Sequence, residues 1–260
     1  MSLTYSSYLK LDELLNAQTP KTSSEHDEML FIIIHQSYEL WFKQILHEKN
    51  LLNHSFSENR EFQAIATLKR MLAILKSIVG QIDILETMTP LSFASFRDRL
   101  ENSSGFQSWQ FRLLEFYLGR KDQGKLKNYP EGSKEHTDLL EALEQPALFD
   151  HFLHFIHKFY DSKVPEDILN RDVKKPYQAD ERLLPVFLSI YKQNPPLQML
   201  CELLVDLDEG FQEWRYRHVK MVERTIGHKS GTGGSAGIDY LKKSLFQSAF
   251  PDLWAVRSKF

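Results

Sequence analysis

A stripe at helical spacing runs through the last quarter of the chain: Leu203, Leu204, Leu207, Phe211, Trp214, His218, Met221, Val222 and Thr225. Steps of three and four residues repeat over about six turns, the signature of one long helix with a single buried face. A chain built around such a helix must supply other elements to cover it. One member of the stripe does not fit an oily interior. His218 points inward, where a neutral imidazole needs a hydrogen-bond partner or a metal. Taken alone, a core histidine bonded to a carbonyl is the more ordinary account of it.

A second inward histidine lies near the start of the chain. The segment His26-Asp-Glu-Met-Leu-Phe31-Ile-Ile-Ile-His35-Gln-Ser-Tyr-Glu-Leu-Trp41 is apolar nearly all round its first turns, which predicts a helix buried on more than one side. Ser24 with Asp27 three residues later predicts a capping box at its start. Phe31 and His35 are four residues apart and share a face. Two inward histidines on helices far apart in sequence point to two walls of one polar site.

The rest of the chain is patterned the same way. Helices are expected over about 5–16, 24–50, 59–86, 91–101, 106–119, 135–143, 146–160, 180–193 and 197–227, with a short one near 238–247. Strand-type alternation and Asn-Gly or Asp-Gly hairpin turns are missing. The expected fold is a single all-α, bundle-like domain over residues 1–260. The breaker-rich stretch from Gly119 to His136 reads as a surface connection, in part helical, and Asn170 to Pro176 as a further loop.

Composition removes several classes of function. With 42% hydrophobic residues in 260, the chain can bury a sizeable core. A net charge of −3 gives no general attraction to nucleic acid or to an anionic membrane. Arg215, Arg217, Lys220 and Arg224 interleave with the apolar stripe and read as the solvated side of its helix. No run approaches the roughly 18 apolar residues that cross a bilayer, and the start lacks the features of a secretory signal. A soluble, cytoplasmic protein is expected. Cys201 is the only cysteine, so a disulfide within the chain, a multi-cysteine zinc site, an iron–sulfur cluster and covalently attached c-type haem are all excluded.

Other motifs are weaker or open. His151, His154 and His157 share one helix but spread too widely for three ligands of one metal. The glycines from Gly231 to Gly237 follow a helix instead of a strand and lack dinucleotide-loop spacing; no P-loop or nucleophile elbow is present. Four glycines between 227 and 234 surround Thr232. They read either as a surface linker or as a closing lid that offers a hydroxyl and backbone N–H groups to a ligand. Phe93, Phe96, Arg97 and Leu100 share a helical face, which sets a guanidinium among aromatics. It needs an anion, either an internal carboxylate or the carboxylate of a ligand gripped by a bidentate fork.

Together these segments resemble tryptophan 2,3-dioxygenase, an all-helical haem enzyme family. The matching blocks are Tyr5-x-x-Tyr8-Leu9-x-Leu-Asp, the helix from His26 to Glu48, Phe96-Arg97, Ser103-Ser-Gly-Phe-Gln-Ser108, Trp214-Arg-x-Arg-His218, Gly231-Thr-Gly-Gly-Ser235 and Phe250-Pro-x-Leu-Trp-x-Val-Arg257. They run in order from near the first residue to the last turn, around a divergent middle from about 119 to 195.

The resemblance implies non-covalent ferrous haem b with His218 as the axial ligand of the iron, its other ring nitrogen held by an acceptor. Ser104 and Gly105 are implied to lie against the opposite face of the haem. His35 is implied to hydrogen-bond the indole N–H, Phe31 to pack on the indole, Arg97 to grip the substrate carboxylate, and Thr232 to hold the carboxylate and ammonium end. Tyr5, Tyr8 and Leu9 are implied to reach a neighbouring subunit's pocket in a homotetramer. The implied reaction adds both atoms of O2 across the indole C2–C3 bond of L-tryptophan to give N-formylkynurenine, the first step of tryptophan catabolism. Two departures stand out: Phe93 replaces a tyrosine of some bacterial members, and the N-terminal extension of many members is missing. A related haem monooxygenase acting on a substituted indole and a non-catalytic haem or tryptophan sensor would share the same pocket residues.

Overall fold

The computed structural model describes residues 2–101, 103, 105–227, 229, 241–242 and 245–260. Among them the helices are α1 (Tyr5–Leu9), α2 (Leu11–Leu15), α3 (Asp27–Ser57), α4 (Glu61–Leu85), α5 (Pro90–Arg97), α6 (Trp109–Tyr117), α7 (Lys134–Glu144), α8 (Leu148–Tyr160), α9 (Glu166–Leu169), α10 (Leu184–Gln193), α11 (Pro195–Ile226) and α12 (Pro251–Ala255), joined in places by short 3-10 turns. No strand occurs among the described residues, so the fold is all-α as the periodicity predicts. No described helix is long and apolar enough to cross a membrane.

The frame is three long helices. α4 packs along both α3 and α11, and its Leu68, Met71, Ile78 and Ile82 are almost fully buried between them. The approach of α11 to α4 is close: a Cβ built on Gly210 would lie 2.9 Å from Leu75 Cδ2, so only glycine fits there without displacement. α11 starts at prolines, with the Asn194 side chain accepting from Leu197 N at 3.1 Å, and ends at Gly227 with φ of 61°. Arg217 ties α11 to α4 by donating to Asp83 at 2.6 Å. On the other side, the buried Asp208 carboxylate accepts from Ala249 N at 2.9 Å and Trp254 Nε1 at 2.9 Å, which fastens the C-terminal segment across α11.

Several expectations are corrected. Residues 5–16 form two short helices, not one, because Lys10 adopts φ of 54° and breaks the ladder. The capping box at Ser24 does not form. His26 is the N-cap residue of α3 and the Ser24 hydroxyl donates to Glu25. The entry to α3 is held instead by Glu28, whose buried carboxylate accepts from the backbone of Lys21 at 2.6 Å and Thr22 at 2.8 Å. α3 also runs on past residue 50 to Ser57.

The segment from Gly119 to His136 is less superficial than its composition predicts. Leu126 and Tyr129 join Phe116, Leu139 and Leu143 in a small second core. The Lys121 ammonium is buried and donates to the carbonyls of Ala142, Leu143 and Gln145 at 2.7, 2.9 and 2.6 Å, satisfying the C-terminal end of α7. Arg215 is buried too, not on the solvated side of α11. Half of the stretch expected to be helical near 238–247 falls outside the described residues, whereas no helix is expected from sequence at α12.

Candidate active site

α3, α5, α6 and α11 enclose a cavity of about 520 Å³, within the range of cofactor and substrate pockets. Each wall follows from local sequence. α3 brings Phe31, His35, Tyr38 and Phe42, spaced at four, three and four residues, to one face. α5 is started by Pro90 behind Thr89, whose hydroxyl accepts from Ser92 N at 3.1 Å. Its last turn then presents Phe93 and Arg97 to the cavity, while Phe96 is buried behind them. α6, capped by Ser108 at Phe111 N, contributes Phe111, Arg112 and Glu115. α11 contributes Trp214, Arg215, His218, Met221, Val222 and Thr225.

Both histidines line the cavity, as the sequence predicts, in different states of satisfaction. His35 Nδ1 lies 2.7 Å from the Phe31 carbonyl. A carbonyl only accepts, so Nδ1 carries the proton and Nε2 is left as an acceptor. Burial lowers the His35 pKa below that of a free imidazole, against the opposing pull of the Phe31 hydrogen bond and the Glu39 charge. The ring also lies against Phe31, centroids 4.1 Å apart, and Phe31 packs on Phe93 and Phe96 at 5.7 Å each. One side of the cavity is therefore an aromatic slab with the His35 Nε2 acceptor set into it.

His218 has no hydrogen bond among the described residues. The acceptor expected for its second ring nitrogen is not found there. Its imidazole instead lies nearly parallel to the Trp214 indole, with centroids 5.2 Å apart and planes 11° from each other. Burial pushes its pKa down to about 4, with further contributions from His35 and Arg215. At neutral pH the ring is uncharged and has a nitrogen lone pair to offer.

The end of the cavity beneath α6 is charged. Glu115 lies between Arg112 and Arg215 and accepts from both guanidinium groups, all three buried. Burial raises the Glu115 pKa, but the two arginines outweigh it and hold the carboxyl below its ordinary value. Arg120 and Lys125 line the same end. Cations outnumber carboxylates there, so the cavity has an apolar end and an end suited to anions.

A family model described as tryptophan 2,3-dioxygenase matches residues 1–161 and 160–260. The tryptophan 2,3-dioxygenase of Anaeromyxobacter sp. (strain K) is 54% identical over 258 residues, covering 98% of this chain and 96% of the relative. The enzyme of that name from Herpetosiphon aurantiacus is 51% identical, covering 99% and 98%, and that from Bacillus thuringiensis subsp. konkukian is 44% identical, covering 99% and 93%. The chain belongs to the tryptophan 2,3-dioxygenase family. The matches run through the stretch 119–195, where the sequence blocks are weakest.

Of the residues singled out from sequence, Phe31, His35, Arg97, Gly105 and His218 come together at the one cavity. Tyr5, Tyr8 and Leu9 do not: they lie on α1, with Tyr5 76% and Tyr8 69% exposed. Ser104 and Thr232 lie outside the described residues. The structure adds Tyr38 and Trp214, whose hydroxyl and indole N–H are buried without a partner among the described residues, and the Arg112–Glu115–Arg215 cluster. Tyr38 could have been found by continuing the α3 stripe from Phe31 and His35. No spacing links Glu115 to Arg215, which is 100 residues away. The His151–His154–His157 series is divided among unrelated partners: His154 Nε2 contacts the Leu169 carbonyl at 3.1 Å, and His157 lies 4.0 Å from Glu166.

Proposed function

We propose that this protein is a haem-dependent dioxygenase that adds both atoms of O2 across the indole C2–C3 bond of L-tryptophan, giving N-formylkynurenine. The observation that carries this reading is His218: an uncharged imidazole, with no hydrogen bond among the described residues, lining the same large aromatic-walled cavity as His35. An imidazole in that condition is a ligand for a soft or borderline metal centre. The cavity fits haem b in two further respects. Its walls are apolar and aromatic, and its cationic end suits a flat ligand that carries two carboxylates at one edge. His218 would hold the iron of a non-covalently bound haem, and Ser104 and Gly105 would contact the haem.

When bound in its ferrous state, the haem supplies O2 binding and the redox chemistry. The chain supplies position. His35 Nε2 is the acceptor for the indole N–H, and it orients the ring without having to remove the proton. Phe31 stacks on the indole face, and Phe93 and Phe96 keep that end dry. Arg97 takes the substrate carboxylate in a bidentate fork, and Thr232 holds the carboxylate and ammonium end. Both oxygen atoms leave in the product, so no reductant is consumed per turnover.

The exposed Tyr5, Tyr8 and Leu9 fit the remaining part of the proposal. Large apolar side chains on a short terminal helix want a cover, and a neighbouring subunit's pocket in a cytoplasmic homotetramer provides one. Residues 1–260 then act as a single all-helical domain.

The test is to reduce the haem-loaded protein, add L-tryptophan and O2, and record the Soret band with the product mass. A product two oxygen atoms heavier than tryptophan is expected, and His218→Ala is expected to lose both haem and product. A product one oxygen heavier would replace the proposal with monooxygenation; haem without product would replace it with sensing. A protein that stays colourless with haem supplied would overturn the assignment of His218.

A further inference from the structure

Nothing in covalent geometry sets the plane of the His218 ring, because rotation about its Cβ–Cγ bond is broad and roughly two-fold. In most metal-bound histidines a hydrogen bond from the second ring nitrogen fixes that plane. His218 has no such bond among the described residues, yet its ring has one close and well-defined neighbour. The Trp214 indole lies 5.2 Å away at 11°, the most nearly parallel ring pair among the described residues. The two are four residues apart on α11, so the backbone of one helix turn carries them on the same face.

The indole is itself immobilised. Phe111 packs against it at 4.9 Å, Phe42 meets it edge-on at 6.3 Å and 85°, and Phe211 stacks at 6.3 Å. Three phenylalanines from α3, α6 and α11 thus hold a broad flat surface beneath the imidazole. The Trp214 N–H is buried without a partner among the described residues. Tryptophan at 214 offers a larger ring face than phenylalanine would.

We propose that Trp214 is a positioning residue for His218: its buttressed indole sets the plane in which the imidazole meets the iron. The proposal rests on the haem reading of the site above and adds a residue to it. Trp214 touches neither substrate nor iron in this role; it acts through the ring it supports.

The experiment uses the haem-loaded ferrous protein and reads the iron–histidine stretching band by resonance Raman, together with the rate of haem transfer to apomyoglobin. Trp214→Leu removes the stacking surface. It is expected to broaden or shift the band and to speed haem loss about fivefold, the factor that matches roughly 1 kcal/mol of aromatic stacking. Trp214→Phe keeps a ring face and is expected to restore the band to near its native position. A purely structural role predicts otherwise: lower stability but an unchanged iron–histidine band in every variant that binds haem.

Should Trp214→Leu fail to fold, Phe111→Leu decides, since it loosens the indole without truncating it. A broadened band there supports the proposal. A native band in Phe111→Leu or in folded Trp214→Leu overturns it. Failure of the underlying reading looks different: wild-type protein without a haem spectrum, or with a haem band that lacks an iron–histidine mode, overturns both.

Discussion

The His35 ring donates its Nδ1 proton to the carbonyl of Phe31, one helical turn earlier, at 2.7 Å. That bond uses the nitrogen nearest the backbone and leaves Nε2 as a fixed acceptor at the cavity wall. A donor on a flat aromatic ligand that stacks on Phe31 can bond to it. The tautomer follows from a four-residue spacing on α3, and in the proposed function it is what lets His35 accept from the indole N–H.

The pH dependence of substrate binding should show this. Only neutral His35 can accept from the indole N–H, and burial lowers its pKa below the free-imidazole value of about 6.5. The KM for tryptophan is expected to stay flat as pH falls from 8 through 6.5 and to rise only at lower pH. A KM that climbs with a midpoint at or above about 6.5 would show that His35 is not protected in this way. His35→Phe should remove the acid limb and leave a raised, pH-independent KM.

Arg97 gives a second kinetic prediction. It closes α5 beside Phe93 at the apolar end of the cavity. Charge-assisted hydrogen bonds contribute about 1.5–3 kcal/mol, so Arg97→Ala is expected to raise the KM for tryptophan by about 10- to 100-fold. Tryptamine, which has no carboxylate, should be nearly indifferent to the change. Arg97→Lys should recover only part of the loss, because an ammonium cannot reproduce a planar fork. Equal effects on tryptophan and tryptamine would place Arg97 outside carboxylate recognition.

In haem-free protein, His218 should make stability depend on pH. Its folded pKa of about 4 lies below the unfolded value of about 6.5. Between those values the unfolded chain binds the proton and the folded one does not. The stabilisation is complete above about 6.5 and is lost as pH falls towards 4, by about 3 kcal/mol for this one residue. Urea unfolding of the haem-free protein at pH 7 and pH 4.5 measures it. His218→Leu is expected to flatten the difference, and an unchanged difference would refute the assignment.

How much of this was legible in the chain depends on how far apart the cooperating residues are. The stripe from Leu203 to Thr225 predicts α11 and places His218 inward, because both follow from a 3.6-residue period. Phe31 and His35 are legible for the same reason. The entry to α3 was misread because Ser24 and Asp27 have capping-box spacing, whereas the structure closes that loop with the Glu28 carboxylate on the backbone of Lys21 and Thr22. That contact depends on the path of the loop, which no local pattern specifies. Arg215 was misread because a basic residue beside an apolar stripe is ordinarily solvated. Its burial follows from a carboxylate 100 positions earlier, a partner that only the packing of α6 against α11 reveals.

That carboxylate carries the last prediction. Glu115 is buried between the Arg112 and Arg215 guanidinium groups and accepts from both. A buried ion cluster can be near neutral in net stability, since desolvation offsets attraction. Removing the carboxylate that both arginines share is different, because the repulsion between two buried cations is then no longer offset by it. Glu115→Gln is expected to cost about 3–5 kcal/mol in urea unfolding. Arg112→Gln added to Glu115→Gln should recover part of that cost by removing one of the opposed charges. The non-additivity separates electrostatics from packing. Two changes that simply add would mean that Glu115 fills space at the end of the cavity. Recovery in the double variant would mean that its charge keeps the two arginines, and with Arg215 the turn of α11 that carries His218, in place.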